Sequence, residues 1–195
     1  MAGQAQPRLT PEEYLAIERQ AETKSEYVNG EMFAMARVSP PHALIVANIC
    51  RELSRILSDR PCFVFSTDLR LRVEATELYC YPDVMVVCAA PRYVDEERDT
   101  LVNPSLIVEV LSPSTEDWDR GGKFAHFRTI DSVTDYLLVR QDACHVELFH
   151  RAPEGRHWIF TETDGTDAAV ELASIGVRLE LSQIYHKVEE LGWSR

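Results

Sequence analysis

The chain has no apolar run of the about 18–20 residues that a bilayer-crossing helix needs. Its opening, MAGQAQPRLTPEEY, lacks the apolar core of a signal peptide, so a cytoplasmic location with no membrane partner is expected. Basic residues are scarce: 20 Lys and Arg stand against 32 Asp and Glu, a net charge of −12. That deficit argues against a general nucleic-acid coat protein or a membrane-surface binder, both of which present a basic face. It does not argue against an enzyme that meets phosphates through metal ions. Cysteines are few and scattered: Cys50, Cys62, Cys80, Cys88 and Cys144, with no CxxC and with apolar neighbours. They read as small buried thiols of a reducing compartment. The six histidines show no HExxH or zinc-pair spacing. There is no GxGxxG, Gly-rich phosphate loop or GxSxG, which makes nucleotide-cofactor and serine-hydrolase readings poor.

What remains is an ordinary globular composition over 195 residues, 45% apolar and 27% charged. That length suits one domain over 1–195, with residues 1–9 expected to be flexible. Thr10, Pro11 and Glu13 form a capping box with proline in the first turn, predicting a helix from about Pro11 to Glu22. Asn29-Gly30 between β-prone arms predicts a tight hairpin. Ser39 precedes Pro40-Pro41 and a helical stripe of Ile45, Ile49, Leu53, Ile56 and Leu57. CFVFS, LRLRV, LYCYPDVMVV and SLIVEVLS read as strands. A helix follows over roughly Asp117–Thr129, then three more strands and a tail ending in a helix near Leu181–Leu191. DLRLRVE alternates, so one of its faces is expected in solvent, whereas VMVVCAA is continuously apolar and expected to be covered on both. The order is not regular βα alternation and predicts an α/β protein of the mixed-sheet, α+β kind, flanked by helices.

Two acids stand out by context. Asp83 lies in YPDVMVV and Glu109 in LIVEVL, with apolar residues on both sides. An unpaired buried carboxylate costs several kcal/mol, so Glu109 needs a partner. Two such acids on adjacent strands repel unless a cation sits between them, and Mg²⁺ is held by one or two carboxylates plus water and phosphate oxygens. An ion pair from Glu109 to Arg70 or Arg72 is an equal alternative at this point. Lys123 lies in WDRGGKFAHFR on the next helix, where Asp119, Lys123, His126 and Phe127 are spaced to share one face. Read alone, Asp119 and Lys123 make an exposed i,i+4 pair of about 0.3–0.5 kcal/mol; beside the two acids, Lys123 gains weight as a site residue.

The ordered set KSEYVNGE, SPPHALIVANI, YPDVMVV, LIVEVLSPST and DRGGKFAHF resembles the Uma-type endonuclease family of bacteria, within the PD-(D/E)XK nuclease superfamily. The resemblance covers about residues 8–190 and implies a restriction-endonuclease-like fold. It implies metal-dependent hydrolysis of DNA phosphodiester bonds, with Mg²⁺ or Mn²⁺ held by Asp83, Glu109 and the Val110 carbonyl. Lys123 would replace the superfamily lysine, whose usual position is occupied by Leu111. Glu26 matches an N-terminal acid of the same cleft and His42 a helix-start histidine. Arg70 and Arg72 are candidates to position phosphate, although solvated strand charges are the plainer reading. A homodimer is expected, since duplex cutters commonly address each strand with one protomer. Two other functions stay open: an inactive nuclease-like binding or assembly module, motivated by Leu111 and the acidic balance, and hydrolysis of a small phosphoester.

Overall fold

The computed structural model describes residues 8–155 and 157–191. Residues 1–7 of the expected flexible lead lie outside the described residues; Leu9 donates its N–H to the Gly30 carbonyl at 2.9 Å and its own carbonyl accepts from the Tyr27 hydroxyl at 2.9 Å. Helix α1 spans Pro11–Glu18, with the Thr10/Glu13 capping box formed in both directions, and stops four residues before the predicted end. Strands β1 (Ser25–Val28) and β2 (Glu31–Ala34) flank Asn29 and Gly30, whose φ values of 50° and 94° fit the left-handed conformation of a two-residue hairpin turn. Helix α2 runs Pro40–Ile56, capped by the Ser39 hydroxyl, which accepts from the His42 N–H.

Then come β3 (Phe63–Ser66), β4 (Arg70–Val73), β5 (Leu78–Cys80), β6 (Val84–Val87), β7 (Thr100–Leu101) and β8 (Leu106–Leu111). A π-helical segment, Trp118–Lys123, leads into the short helix α3, Phe124–Phe127. Strands β9 (Asp135–Arg140), β10 (His145–Arg151) and β11 (Trp158–Asp164) follow, then the ribbon β12 (Ala169–Leu172) and β13 (Val177–Glu180), and α4 (Leu181–Ile184). Apart from the β12–β13 ribbon, which pairs with itself, the strands divide between two mixed sheets rather than one. The first has the order β2-β1-β5-β4-β7 and the second β11-β10-β9-β8-β6-β3; β8–β9 and β4–β7 are parallel.

Side-chain alternation on the second sheet separates two cores. Leu106, Val108 and Val110 of β8 join Ile45, Ile49 and Leu53 of α2, whereas Ile107 and Leu111 join Leu71, Leu78 and Cys80 of the first sheet. Both sides of β6 and β8 are therefore covered, as their apolar runs predict. The solvent face expected for β4 is only partly there: Arg70, Leu71 and Val73 are buried while Arg72 is half-buried, because the Tyr14 and Tyr81 rings and Asp99 lie against Arg70.

The cysteine reading also needs correction. Cys62 and Cys88 form a disulfide, because β3 and β6 are antiparallel neighbours with Phe63 opposite Val87, which places the next residues out opposite each other. Cys50, Cys80 and Cys144 are free thiols.

Candidate active site

Asp83 sits where the chain leaves the first sheet at the end of β5 and enters the second at β6. The β6–β8 register pairs Val84 with Val108, so its continuation sets Asp83 opposite Glu109. The two carboxylates meet for that reason. The Asp83 N–H lies 3.4 Å from Glu109 Oε2, and the Val110 N–H donates to Asp83 Oδ2 at 2.8 Å. From α2, His42 Nε2 approaches the same Asp83 oxygen at 3.2 Å. The Ser39 cap fixes the first turn of α2, on which His42 sits, through the His42 N–H.

Lys123 enters from the opposite core. Its Nζ donates to Glu109 Oε1 at 3.0 Å, and stands 3.1 Å from Glu26 Oε1 and 3.2 Å from Asp119 Oδ1. The i,i+4 pair of Asp119 and Lys123 is therefore buried rather than exposed, with the two residues only 2% and 5% accessible. Phe127, four residues further on, is buried in the core as well, and His126 Nδ1 meets Thr76 Oγ1 at 2.7 Å; the wider π-helical turn ends at Lys123. Gly122 makes room for this turn: a Cβ there would fall 1.9 Å from the Trp118 ring.

Three carboxylates, Glu26, Glu109 and Asp119, thus surround one ammonium, with Asp83 beside Glu109 as a fourth acid, in a cleft of ≈ 270 Å³ that also reaches His42, Val110 and Trp118. Burial, together with the Asp119 and Asp83 charges, lifts the Glu109 carboxyl well above the ordinary carboxylate range against the pull of Lys123. Asp119 is raised by burial in the same way. Burial disfavours the Lys123 charge too, but Glu109, Glu26 and Asp119 outweigh it and hold the ammonium well above its usual range. A divalent cation fits such a set. The donors are hard oxygens, they exceed the available positive charge, and without a cation protons must make up the difference.

Arg70 and Arg72 are not part of this group. Arg70 is buried, donating to Thr100 Oγ1, the Tyr81 hydroxyl and Asp99 Oδ2 at 3.0, 3.0 and 2.7 Å, which leaves it no freedom to meet phosphate and rules out the alternative pairing with Glu109. Arg72 pairs loosely with Glu74 at 3.8 Å.

The chain matches the Uma2 family, described as "Putative restriction endonuclease", over residues 11–182. It belongs to that family. Two uncharacterized proteins of Synechocystis sp. resemble it along most of their length. One, sll1609, is 39% identical over 85% of this chain and 93% of its own; the other, slr1290, is 36% identical over 92% of each. A crystal structure described as "a putative nuclease belonging to DUF820", from Anabaena variabilis, superposes with a TM-score of 0.74 at 19% identity, covering 92% of this chain and 99% of that one. The restriction-endonuclease-like, mixed α and β fold is borne out.

Sequence reasoning gave Asp119 no place in the Uma2 site. Its spacing of four from Lys123 was the available signal, but spacing does not report burial. A second acid–histidine group was also unforeseen. His145, Glu147 and Glu162 bring ligand atoms within 4.8 Å of one another, because β10 and β11 pair Glu147 with Glu162. Arg120 pairs with Glu147, and Asp164 with His145 at 2.7 Å, so these groups are engaged in an ion network of their own.

Proposed function

We propose that this Uma2 member is a divalent-metal-dependent endonuclease that hydrolyses DNA phosphodiester bonds in the Asp83–Glu109–Lys123 cleft. The observation that carries the reading is the convergence of three carboxylates on one buried ammonium, with Asp83 against Glu109 as a fourth acid, beside an open cleft. Asp83 and Glu109, with the Val110 carbonyl, would hold Mg²⁺ or Mn²⁺. Such an ion, when bound, supplies Lewis acidity to a water and to the scissile phosphate.

The chain's own groups do the rest. The Val110 N–H and His42 Nε2 hold Asp83 at Oδ2, leaving its other oxygen for a ligand. Lys123 is kept charged by Glu109, Glu26 and Asp119, and its ammonium orients the attacking water or stabilises the charge that develops on phosphorus-bound oxygen. Glu26 holds the ammonium at that point from the β1–β2 hairpin. Twofold pairing of protomers and a cytoplasmic location belong to the same proposal. Sedimentation tests the first, and the thiol state of Cys62 and Cys88 in protein from its source cells tests the second.

Purified protein is expected to cut DNA with Mg²⁺ or Mn²⁺ and to stop with chelator or with Asp83→Asn. Intact single-stranded, double-stranded and supercoiled DNA under all metal conditions would overturn the reading. One observation favours an inactive binding module instead: Lys123 is fully engaged by carboxylates while Leu111 fills the superfamily lysine position. Calorimetry separates the two, because an inactive module has no need to bind either metal.

A further inference from the structure

Beside the cleft lies a second groove, of ≈ 560 Å³, bordered by Val28, Glu31 and Phe33 of the hairpin and by Trp118. That is within the range of small-ligand clefts, about 300–1,000 Å³. Its floor follows from the hairpin register. Glu26 is opposite Phe33 and Val28 opposite Glu31, so these four share one face, while Tyr27 on the other face packs with Tyr14 and Tyr79. Trp118 forms a wall, its six-membered ring lying directly against Gly122. Glu26, Phe33 and Trp118 border the carboxylate cleft as well, so the two spaces are continuous. Phe33 is 51% exposed, and Met35 and Val38, at 39% and 61%, extend an apolar rim along the same cleft.

Two aromatic side chains next to carboxylates select among the parts of a nucleic acid. Arg8 also borders the groove, but Glu26 and Glu31 outnumber it, so a phosphate meets a wall of net negative charge. Nucleobases are not repelled: each has a π-face that stacks on an aromatic ring, and the exocyclic amino groups of adenine, cytosine and guanine donate to carboxylate oxygens. Inside a duplex those faces are stacked and those amino groups largely paired, so a base must be unpaired to enter.

We infer that this groove, walled by Trp118 and Phe33, is a nucleobase subsite beside the cleft, and that the substrate class is DNA with unpaired nucleotides at the point of attack. The inference rests on the nuclease reading for its substrate but not for its binding test.

The test is metal-free binding of a labelled single-stranded oligonucleotide and of its blunt duplex, followed by fluorescence anisotropy and tryptophan emission. The single strand is expected to bind tighter and to quench Trp118; Trp118→Phe removes that quench while keeping most of the affinity. Trp118→Ala is expected to weaken the single strand by roughly 5- to 150-fold, the range for loss of one base–aromatic stack. Phe33→Ala, on an exposed hairpin position, should weaken it too and guards against a folding defect at Trp118. Equal affinity for duplex and single strand, or both alanine variants within twofold of wild type, overturns the subsite. So does a switch from dimer to monomer in sedimentation of both variants, which would mean that a second copy of the chain covers the groove. Cleavage with Mg²⁺ is read separately. Cutting that is indifferent to Trp118 and Phe33 sinks the subsite alone, whereas Trp118-dependent binding without any cutting sinks the nuclease reading alone.

Discussion

Two ionic networks, the first partly exposed and the second buried, lie two residues apart on the chain, Tyr81 belonging to one and Asp83 to the other. Around Arg70 the charges nearly balance: Arg70 and Arg19 meet Asp99 and Asp95, and Glu18 accepts from the Tyr81 hydroxyl and the Ser25 N–H at 2.9 Å each. Around Lys123 a single ammonium faces Glu26, Glu109 and Asp119, and Asp83 lies against Glu109 as a fourth acid. The carboxyl shifts follow. Hydrogen bonds from Arg19, with further help from Thr100 and Arg70, hold Asp99 well below the ordinary range, whereas burial lifts Glu109 well above it. A network whose charges are met by its own residues fastens the fold; one left with an excess is suited to receive a cation from outside.

The largest effect that would test this contrast is Lys123→Met, which leaves Glu109 buried without its only basic partner. A loss of about 3–5 kcal/mol in chemical denaturation is expected, as for other broken buried pairs. A loss below about 1 kcal/mol would mean that water reaches the cluster and that its charges are weakly coupled. Next is Asp83→Asn. Its amide oxygen still accepts from the Val110 N–H, so folding should be unharmed or improved as the charge excess falls, while metal-dependent cleavage drops by at least about 10²–10³-fold. If stability falls as far as in Lys123→Met, Asp83 is a fastening residue and the contrast fails.

The balanced network makes a pH prediction. Asp99 has a depressed folded pKa, so the stability it contributes is present above the unfolded aspartate value, about 3.9, and is lost as pH falls through the lower folded one. Asp99→Asn should cost about 1–2 kcal/mol at neutral pH, moderated because its side chain is 33% exposed, and should flatten the acid limb of the stability curve below about pH 4. An unchanged acid limb would remove Asp99 from the network. The smallest effect is expected from Ser39→Ala, about 1 kcal/mol of helix stability in thermal melts. If cleavage also falls tenfold, the cap matters for seating His42 on Asp83 as well as for starting α2.

Much of the secondary structure was legible because its signals are local. The Thr10–Glu13 box, the Asn29-Gly30 turn and the Ser39 cap each involve residues within a few positions, and each is formed as read. Where α1 stops was not legible, nor was the π-helical turn, since both depend on what the segment packs against. In the site, Asp83 and Glu109 stood out because a carboxylate in an apolar strand is anomalous by itself. Arg70 was misjudged for the converse reason. The alternation of LRLRV looks half-solvated, and only the tertiary structure brings Tyr14, Tyr81 and Asp99 against Arg70.

The sequence by itself determined that Glu109 must find a partner if its strand is central, since several kcal/mol of desolvation then follow for an acid set among Leu106, Ile107, Val108, Val110 and Leu111. The tertiary structure alone decided who that partner is. It drew Lys123 rather than Arg70, added Glu26 from a hairpin and Asp119 from an adjoining turn, and closed Cys62 on Cys88 across two strands. Propensity and patterning act over a few residues, whereas charge pairing and burial depend on distances that only the assembled sheets define.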